Sequence, residues 1–458
     1  MPNGAEPARG MRGLTAFATG TGLCLGLALL KFGNPVILDN LVALPSGFFE
    51  TLFQPWPISW GYLMLAAIVV VGGWLLLSGK LPAPGGRESG AKALPAVGPP
   101  RWLGFLLPAW LVWQFLAAST SIDGRLTQNT LGEFIAVTAW FYLGHLILAR
   151  IPDSRGFWVA LIACFVVMLW TGFNQHYGGL DEVRRYVRSQ PGWENLPAEH
   201  LKRIASNRIF ATLLYPNTLA GVILLLTPVL AVGIWDLTSW LTPVTRAVLT
   251  GLFIYASVAC LYWSGSKAGW LISLIMATVG LFQVTFPRRL KVAILAVLLV
   301  AGMAGFFVKF QSYFAKGATS VGARFQYWRA SAITAVRHPV LGTGPGTFSV
   351  TYRQLKPPEA EMARLTHNDY LEQASDSGLP GALFFTGFVL GSVGWLYRAA
   401  RTSTFHFAVW VGLFGWALQS FVEFGLYIPA VGWLAFGLLG WLWGDLFPRR
   451  LSGPDHRS

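Results

Sequence analysis

The chain predicts an all-α, polytopic integral membrane protein, and three observations carry that expectation. Apolar runs of about twenty residues recur along its 458 residues, each long enough to cross a hydrocarbon core of roughly 30 Å. Hydrophobic residues make up 54% of the chain and charged residues 12%, so no interval between the runs can build a sizeable soluble core. The net charge is +14, yet the basic residues recur in small groups on alternate connections. That is the pattern of a topology signal and not of a nucleic-acid-binding patch. Backbone groups in lipid must be bonded within their own segment, so the long apolar runs are helices.

In order, the expected spans are Leu14–Phe32, Ile58–Leu77, Trp102–Ala118, Leu131–Ala149, Phe157–Phe173 and Ala211–Trp235. Val244–Trp263, Ala268–Phe286, Leu290–Phe310, Leu379–Tyr397, Phe405–Phe424 and Leu426–Leu446 follow. They amount to about twelve transmembrane helices in a single bundle over residues 1–458. Arg9 and Arg12 precede the first run, which ends in Lys31-Phe32-Gly33-Asn34-Pro35 without a small-residue cleavage signal. It reads as an uncleaved span. With the N-terminus in the cytoplasm, the cytoplasmic connections collect Lys80, Arg87, Lys92, Arg101, Arg150, Arg155 and Arg246. Arg288, Arg289, Lys291, Arg398, Arg401, Arg449, Arg450 and Arg457 fall on the same side, whereas the outer connection Asn34–Pro57 has no Lys or Arg. Both termini are therefore expected in the cytoplasm.

Two outer loops are long, residues 174–210 and 311–378, and both show apolar residues at helical spacing. In the second, Phe325, Trp328, Ala332 and Val336 share one helix face, with Arg324, Arg329 and Arg337 off it. Short helices lying against the membrane surface are expected there. Residues 79–100 are rich in Pro, Gly and Ala and read as a flexible linker. Cys24, Cys164 and Cys260 lie inside apolar runs, with neither a disulfide framework nor a metal spacing.

The outer side collects the polar groups that lipid would not tolerate. Arg208 precedes the sixth span, Lys267 starts the eighth, Arg324 and Arg329 lie early in the second loop, and His367 ends it. Guanidinium groups bind phosphate oxygens bidentately and keep their charge at any relevant pH. They suit a diphosphate leaving group that becomes more negative as its bond breaks. Histidine changes charge between about pH 5 and 8 and is suited to take a proton from an attacking hydroxyl. No Asp-x-Asp pair stands ready for Mg²⁺, so neither a metal nor another cofactor is expected. Plainer readings stand beside these: a lone loop His is usually solvated, and loop arginines commonly anchor to headgroups. Gly342–Gly346 reads as a turn, because no Walker-type Lys-Ser/Thr follows it. Glu133, His145, His406 and Glu423 fall in or near spans, where ionisable groups are costly and serve either function or interhelical bonding.

Four motifs in order carry a resemblance. They are Arg208 with Tyr215-Pro216-Asn217; Ser264-Gly265-Ser266-Lys267-Ala268-Gly269; Arg324-x-x-x-Trp328 followed by His338-Pro339-Val340-Leu341-Gly342-Thr343-Gly344-Pro345-Gly346-Thr347-Phe348; and His367-Asn368-Asp369-Tyr370-Leu371 followed by Gly378-Leu379-Pro380-Gly381. Ser420-Phe421-Val422-Glu423-Phe424 and Pro429 also fit. From Arg208 onward the chain resembles the bacterial O-antigen ligase and polymerase superfamily of membrane glycosyltransferases.

The resemblance implies a GT-C-like fold in the bacterial inner membrane and a periplasmic site. It also implies metal-independent, inverting transfer of a glycan from undecaprenyl diphosphate. The acceptor is a sugar of the lipid A core in ligases and a second lipid-linked glycan in polymerases. Carried onto matching positions, His367 is the base, and Arg208 and Arg324 bind the departing diphosphate. Asn217, Lys267, Arg329 and Asn368 are the further substrate-binding candidates. Lys267 stands where relatives more often have Arg, and so lacks the fork. A ligase is the first expectation and a polymerase of O-antigen, capsule or exopolysaccharide repeats the second, with membrane lipids and no nucleic acid as surroundings. A lipid-linked sugar flippase would instead need charges along a path through the bundle.

Overall fold

The computed structural model describes residues 5–82, 98–189, 193–195, 201, 204–315 and 319–447. Arg87, Lys92, Arg449, Arg450 and Arg457, with most of the 79–100 linker, lie outside them. The regular elements among the described residues are all helices. The helices are α1 (Ala5–Lys31), α2 (Phe48–Phe53), α3 (Ile58–Leu77), α4 (Arg101–Ala117), α5 (Gly124–Leu146), α6 (Arg155–Asn174), α7 (Leu180–Ser189) and α8 (Pro216–Leu237). After them come α9 (Pro243–Ser264), α10 (Lys267–Gln283), α11 (Arg288–Ala315), α12 (Thr319–Arg337), α13 (Phe348–Leu355), α14 (Asp369–Ala400), α15 (Thr404–Gln419) and α16 (Pro429–Leu446).

Among the described residues, nine helices are long and apolar enough to cross a membrane. The other three expected spans fall on α10, a 17-residue apolar helix, and on α15 and α16, for which the reason is where they sit. Every residue of α16 from Pro429 to Trp443 is buried, and α15 is nearly so. Helices enclosed by protein need not be as long or as lipophilic as those that face lipid. Instead they need small residues, because lipid supplies no hydrophobic drive between helices and close backbone contact must hold them together. A Cβ on Gly440 would lie 1.9 Å from the Phe141 carbonyl oxygen, and one on Gly412 2.0 Å from that of Leu225. These glycines seat α16 on α5 and α15 on α8.

Several span boundaries differ from expectation, among them the start of α5, seven residues early at Gly124, and the end of α15, five residues early at Gln419; two others bear on the site. The sixth helix starts at Pro216 and not at Ala211, because residues 211–215 form a turn in which Ala211 has φ 53°. Pro216 then opens α8 at a position where its missing N–H costs nothing. The tenth starts ten residues early, at Asp369, and kinks at Ser377 and Gly378 (φ 73°) before its apolar half. The second loop does contain helices, α12 and α13. The face of α12 that meets protein, however, is Tyr327, Ala330, Ser331, Thr334 and Ala335. Phe325 is 61% and Val336 80% exposed, so most of the anticipated apolar stripe points away from the bundle, while Trp328 packs against the cluster that holds Tyr327 and Phe348.

Candidate active site

The site forms where five chain segments meet at one end of the bundle: residues 206–217, the α9–α10 turn, the start of α12, the start of α14 and the α15–α16 connection. At its centre is Glu423, which lies between α15 and α16 and outside both. Its Oε1 accepts from Arg324 Nη2 and from Asn217 Nδ2 (2.6 Å), and its Oε2 faces His367 Nδ1 at 3.2 Å. Asn217 passes the link onward, its Oδ1 accepting from Arg208 Nη2 at 2.6 Å. One carboxylate thus ties together His367, Arg324, Asn217 and, through Asn217, Arg208.

Local sequence explains each placement. Gly265 ends α9 in the left-handed conformation (φ 61°), and Ser266 caps α10 by accepting from Gly269 N at 3.2 Å. The reversal presents the Ser264 carbonyl to Arg208 Nε at 2.7 Å, and a Cβ on Gly265 would crowd that same nitrogen at 3.2 Å. In Arg324-x-x-x-Trp328 the two residues are one turn apart and serve both sides of the site. Arg324 Nε donates to Val422 O (3.1 Å) while Trp328 Nε1 donates to His367 O (3.4 Å). His367 has φ 56°, a strained conformation for a non-glycine residue. It is held by its neighbours: Thr366 N donates to Glu372 (3.0 Å), Asp369 N donates to Ser420 O (2.8 Å), and Asn368 caps α14 by accepting from Leu371 N at 3.0 Å.

The Gly342–Gly346 run is a turn that serves the same end. Gly346 N donates to Asp376 Oδ2 (2.7 Å) and Gly344 N to Asp376 O (2.8 Å), fastening the loop to the polar first half of α14. Gly378 fits against it so closely that a Cβ would lie 2.2 Å from Val340 O.

The electrostatics favour an anion. Burial would raise the Glu423 carboxyl, but the Arg324 guanidinium and His367 hold it below the usual carboxylate range. An ionised carboxylate can only accept, so the proton between the pair sits on His367 Nδ1, and the neutral form of the ring then carries its lone pair on Nε2. The imidazole is fixed between Tyr327 (ring centroids 5.7 Å, stacked) and Phe424 (4.6 Å, edge-on) while keeping 27% of its side chain exposed. Lys267 joins the electrostatic neighbourhood of Arg208 and Arg324, its Nζ lying 3.8 Å from the centre of the Tyr313 ring. Glu423 thus pairs directly with Arg324 and reaches Arg208 through Asn217, with Lys267 beside those two guanidinium groups.

The expected residues separate into three groups. Arg208, Asn217, Arg324 and His367 converge. Lys267 adjoins them on the Tyr313 ring, and the Asn368 side chain is engaged in the α14 cap. Arg329 is exposed, and its side chain takes no part in the Glu423 network. The residue that sequence reasoning left unassigned is Glu423, whose signal was a carboxylate in an apolar stretch. Elsewhere, Glu133 accepts from Trp433 Nε1 (3.1 Å) and His406 pairs with Asp445 (2.6 Å), both interhelical bonds.

Residues 251–386 match the family model described as O-antigen ligase. The match supports the O-antigen ligase and polymerase superfamily, and with it a membrane glycosyltransferase-like enzyme. No curated protein matches the chain. The matched interval contains Lys267, Arg324 and His367, whereas Arg208, Asn217 and Glu423 fall outside it and are joined to them by geometry.

Proposed function

We propose that this chain is an O-antigen ligase-type glycosyltransferase of the bacterial inner membrane. It moves a glycan from undecaprenyl diphosphate to a sugar hydroxyl of the lipid A core at the periplasmic face, with inversion. His367 Nε2 takes the proton of the acceptor hydroxyl. That oxygen attacks the anomeric carbon as the bond from this carbon to the diphosphate oxygen breaks on the opposite side, and undecaprenyl diphosphate departs. Arg324 and Arg208 take up the growing negative charge, with Lys267 as a third cation. Glu423 holds the imidazole in the tautomer that can accept a proton and keeps Arg324 beside it. Asn217 relays that contact to Arg208, and Asn368 stiffens the turn that carries His367. The charge pattern supports a periplasmic site: Arg101, Arg155, Arg246, Arg288 and Arg401 flank the helix ends that the chain order puts opposite it.

The observation that carries this reading is the single carboxylate shared by His367 and Arg324. It brings a proton acceptor and a phosphate-binding fork to one point. The same chemistry serves a polymerase whose acceptor is a second lipid-linked glycan. The test is incubation of the purified protein with a defined undecaprenyl-diphosphate glycan and both acceptors, followed by mass analysis. Glycan on lipid A core is the expected product. A ladder of lengthening lipid-linked chains would make it a polymerase, and translocation without bond formation would overturn the transferase reading.

A further inference from the structure

Helix α6 does not end cleanly; it runs into a kinked segment, Gln175–Gly179, in which Gly178 has φ 128°. Its first residue, Gln175, is buried at 8% exposure and faces the chain just after Arg208. Gln175 Oε1 accepts from Phe210 N (2.9 Å) and Ala211 N (2.8 Å), and its Nε2 donates to Ala211 O (2.9 Å). These bonds close on a strained residue. Among the described residues, Ala211 and His367 are the non-glycine residues with positive φ, at 53° and 56°. Strain of this kind persists only where the surroundings over-determine it. For His367 the fixing groups flank the imidazole itself; for Ala211 the partners of its own N–H and C=O both belong to one amide side chain, while Thr212 next to it donates to Leu29 O at 2.7 Å.

Arg208 lies three residues before that turn. Ile209 N donates to Trp263 O (3.3 Å), beside the Ser264 carbonyl that accepts from Arg208 Nε. The segment is thus pinned at one edge by the end of α9 and at the other by Gln175. Released from Gln175, Ala211 would relax toward negative φ and turn residues 208–210 with it. We propose that Gln175 is a positioning residue of the donor site, holding the Ala211 turn so that the Arg208 guanidinium stays against Ser264 and Asn217. The inference rests on the diphosphate-binding role proposed for Arg208.

The test measures binding of undecaprenyl diphosphate, without glycan, to the full-length protein in lipid nanodiscs. Arg208→Ala is expected to weaken binding more than tenfold, and Gln175→Ala by about tenfold. Adding Ala211→Gly to Gln175→Ala is expected to restore binding to within about threefold of wild type, since glycine adopts the left-handed turn unaided. A glutamine whose loss acted only by general destabilisation of the bundle would not be rescued by deleting that one methyl. Unchanged binding in Gln175→Ala beside a weakened Arg208→Ala overturns the positioning role alone, as does failure of the double variant to recover. Normal binding by Arg208→Ala overturns the diphosphate reading and this inference with it. Should Gln175→Ala not fold, the comparison is made in the Ala211→Gly background, where loss of binding on removing Gln175 is the overturning result.

Discussion

A histidine–carboxylate pair lies at each end of the α15–α16 hairpin, and the two pairs differ in everything except their chemistry. At one end His406 Nε2 meets Asp445 at 2.6 Å; at the other His367 Nδ1 meets Glu423 at 3.2 Å. The span of α15 separates them by about 20 Å at helical rise. The shorter contact is the plainer one. His406 lies in a regular helix with its ring tilted on Trp441 (5.6 Å), and its pair joins two helices. His367 lies in strained backbone, and its carboxylate also holds Arg324 and Asn217. A histidine–carboxylate pair is therefore not a site in itself. What distinguishes the second pair is a set of cations converging on it and a fold that spends several hydrogen bonds fixing one loop residue.

The sharpest break of that comparison is to delete each imidazole. His367→Ala is expected to reduce transfer by about 10²–10⁴-fold, the usual cost of removing an acid–base group. His406→Ala should leave turnover within about twofold while lowering thermal stability, as a lost interhelical bond would. Equal turnover in the two variants would erase the distinction. Next in size is Glu423→Gln, which keeps the shape but removes the charge that fixes the His367 tautomer and pairs Arg324. A loss of about a hundredfold in transfer is expected. The pH behaviour has a definite sign. Because the Glu423 carboxyl is held below its ordinary range, its stabilisation is fully present above about pH 4.3, the unfolded value. It fades only as pH falls through the lower folded value. Thermal unfolding followed from pH 7 downward should therefore show a late acid loss in the wild type that Glu423→Gln lacks. For Arg324→Lys, charge survives and the fork does not, so a loss of about tenfold is expected, read mainly in kcat.

How far the sequence anticipates this differs between the two ends as well. Helix identity, the order of the spans and the cations Arg208, Lys267 and Arg324 are legible because burial in lipid and the cost of charge leave coarse marks on composition. Glu423 is visible only as an oddity in Phe421-Val422-Glu423-Phe424, since its meaning depends on residues 99 and 56 positions away in Arg324 and His367. Periodicity places Phe325 and Val336 on a common face but cannot say whether that face meets protein; Tyr327 and Ser331 took the inner side instead. The early start of α14 is hidden for a similar reason. Asp369, Glu372 and Asp376 read as a solvated loop, yet all are fully buried, each bonded to a backbone N–H of Leu426, Thr366 or Gly346. Buried carboxylates satisfied by distant amides leave no local pattern.

The smallest effect concerns the turn itself. Asn368 follows His367 directly, and its side chain accepts from Leu371 N at 3.0 Å while its backbone is extended (φ −166°). Replacing an N-cap asparagine by alanine costs about 1 kcal/mol of helix stability, so Asn368→Ala should lower the unfolding temperature modestly. It should also reduce transfer by only about threefold, through a looser His367. Asn368→Asp retains the capping oxygen and should recover the stability, a result read from thermal scans of the purified protein. If Asn368 instead contacts the glycan directly, the two measurements will separate: Asp would restore the unfolding temperature while transfer stays low. That outcome would move Asn368 from the support of His367 into the substrate site, and it would narrow what sets this end of the bundle apart from the His406 end.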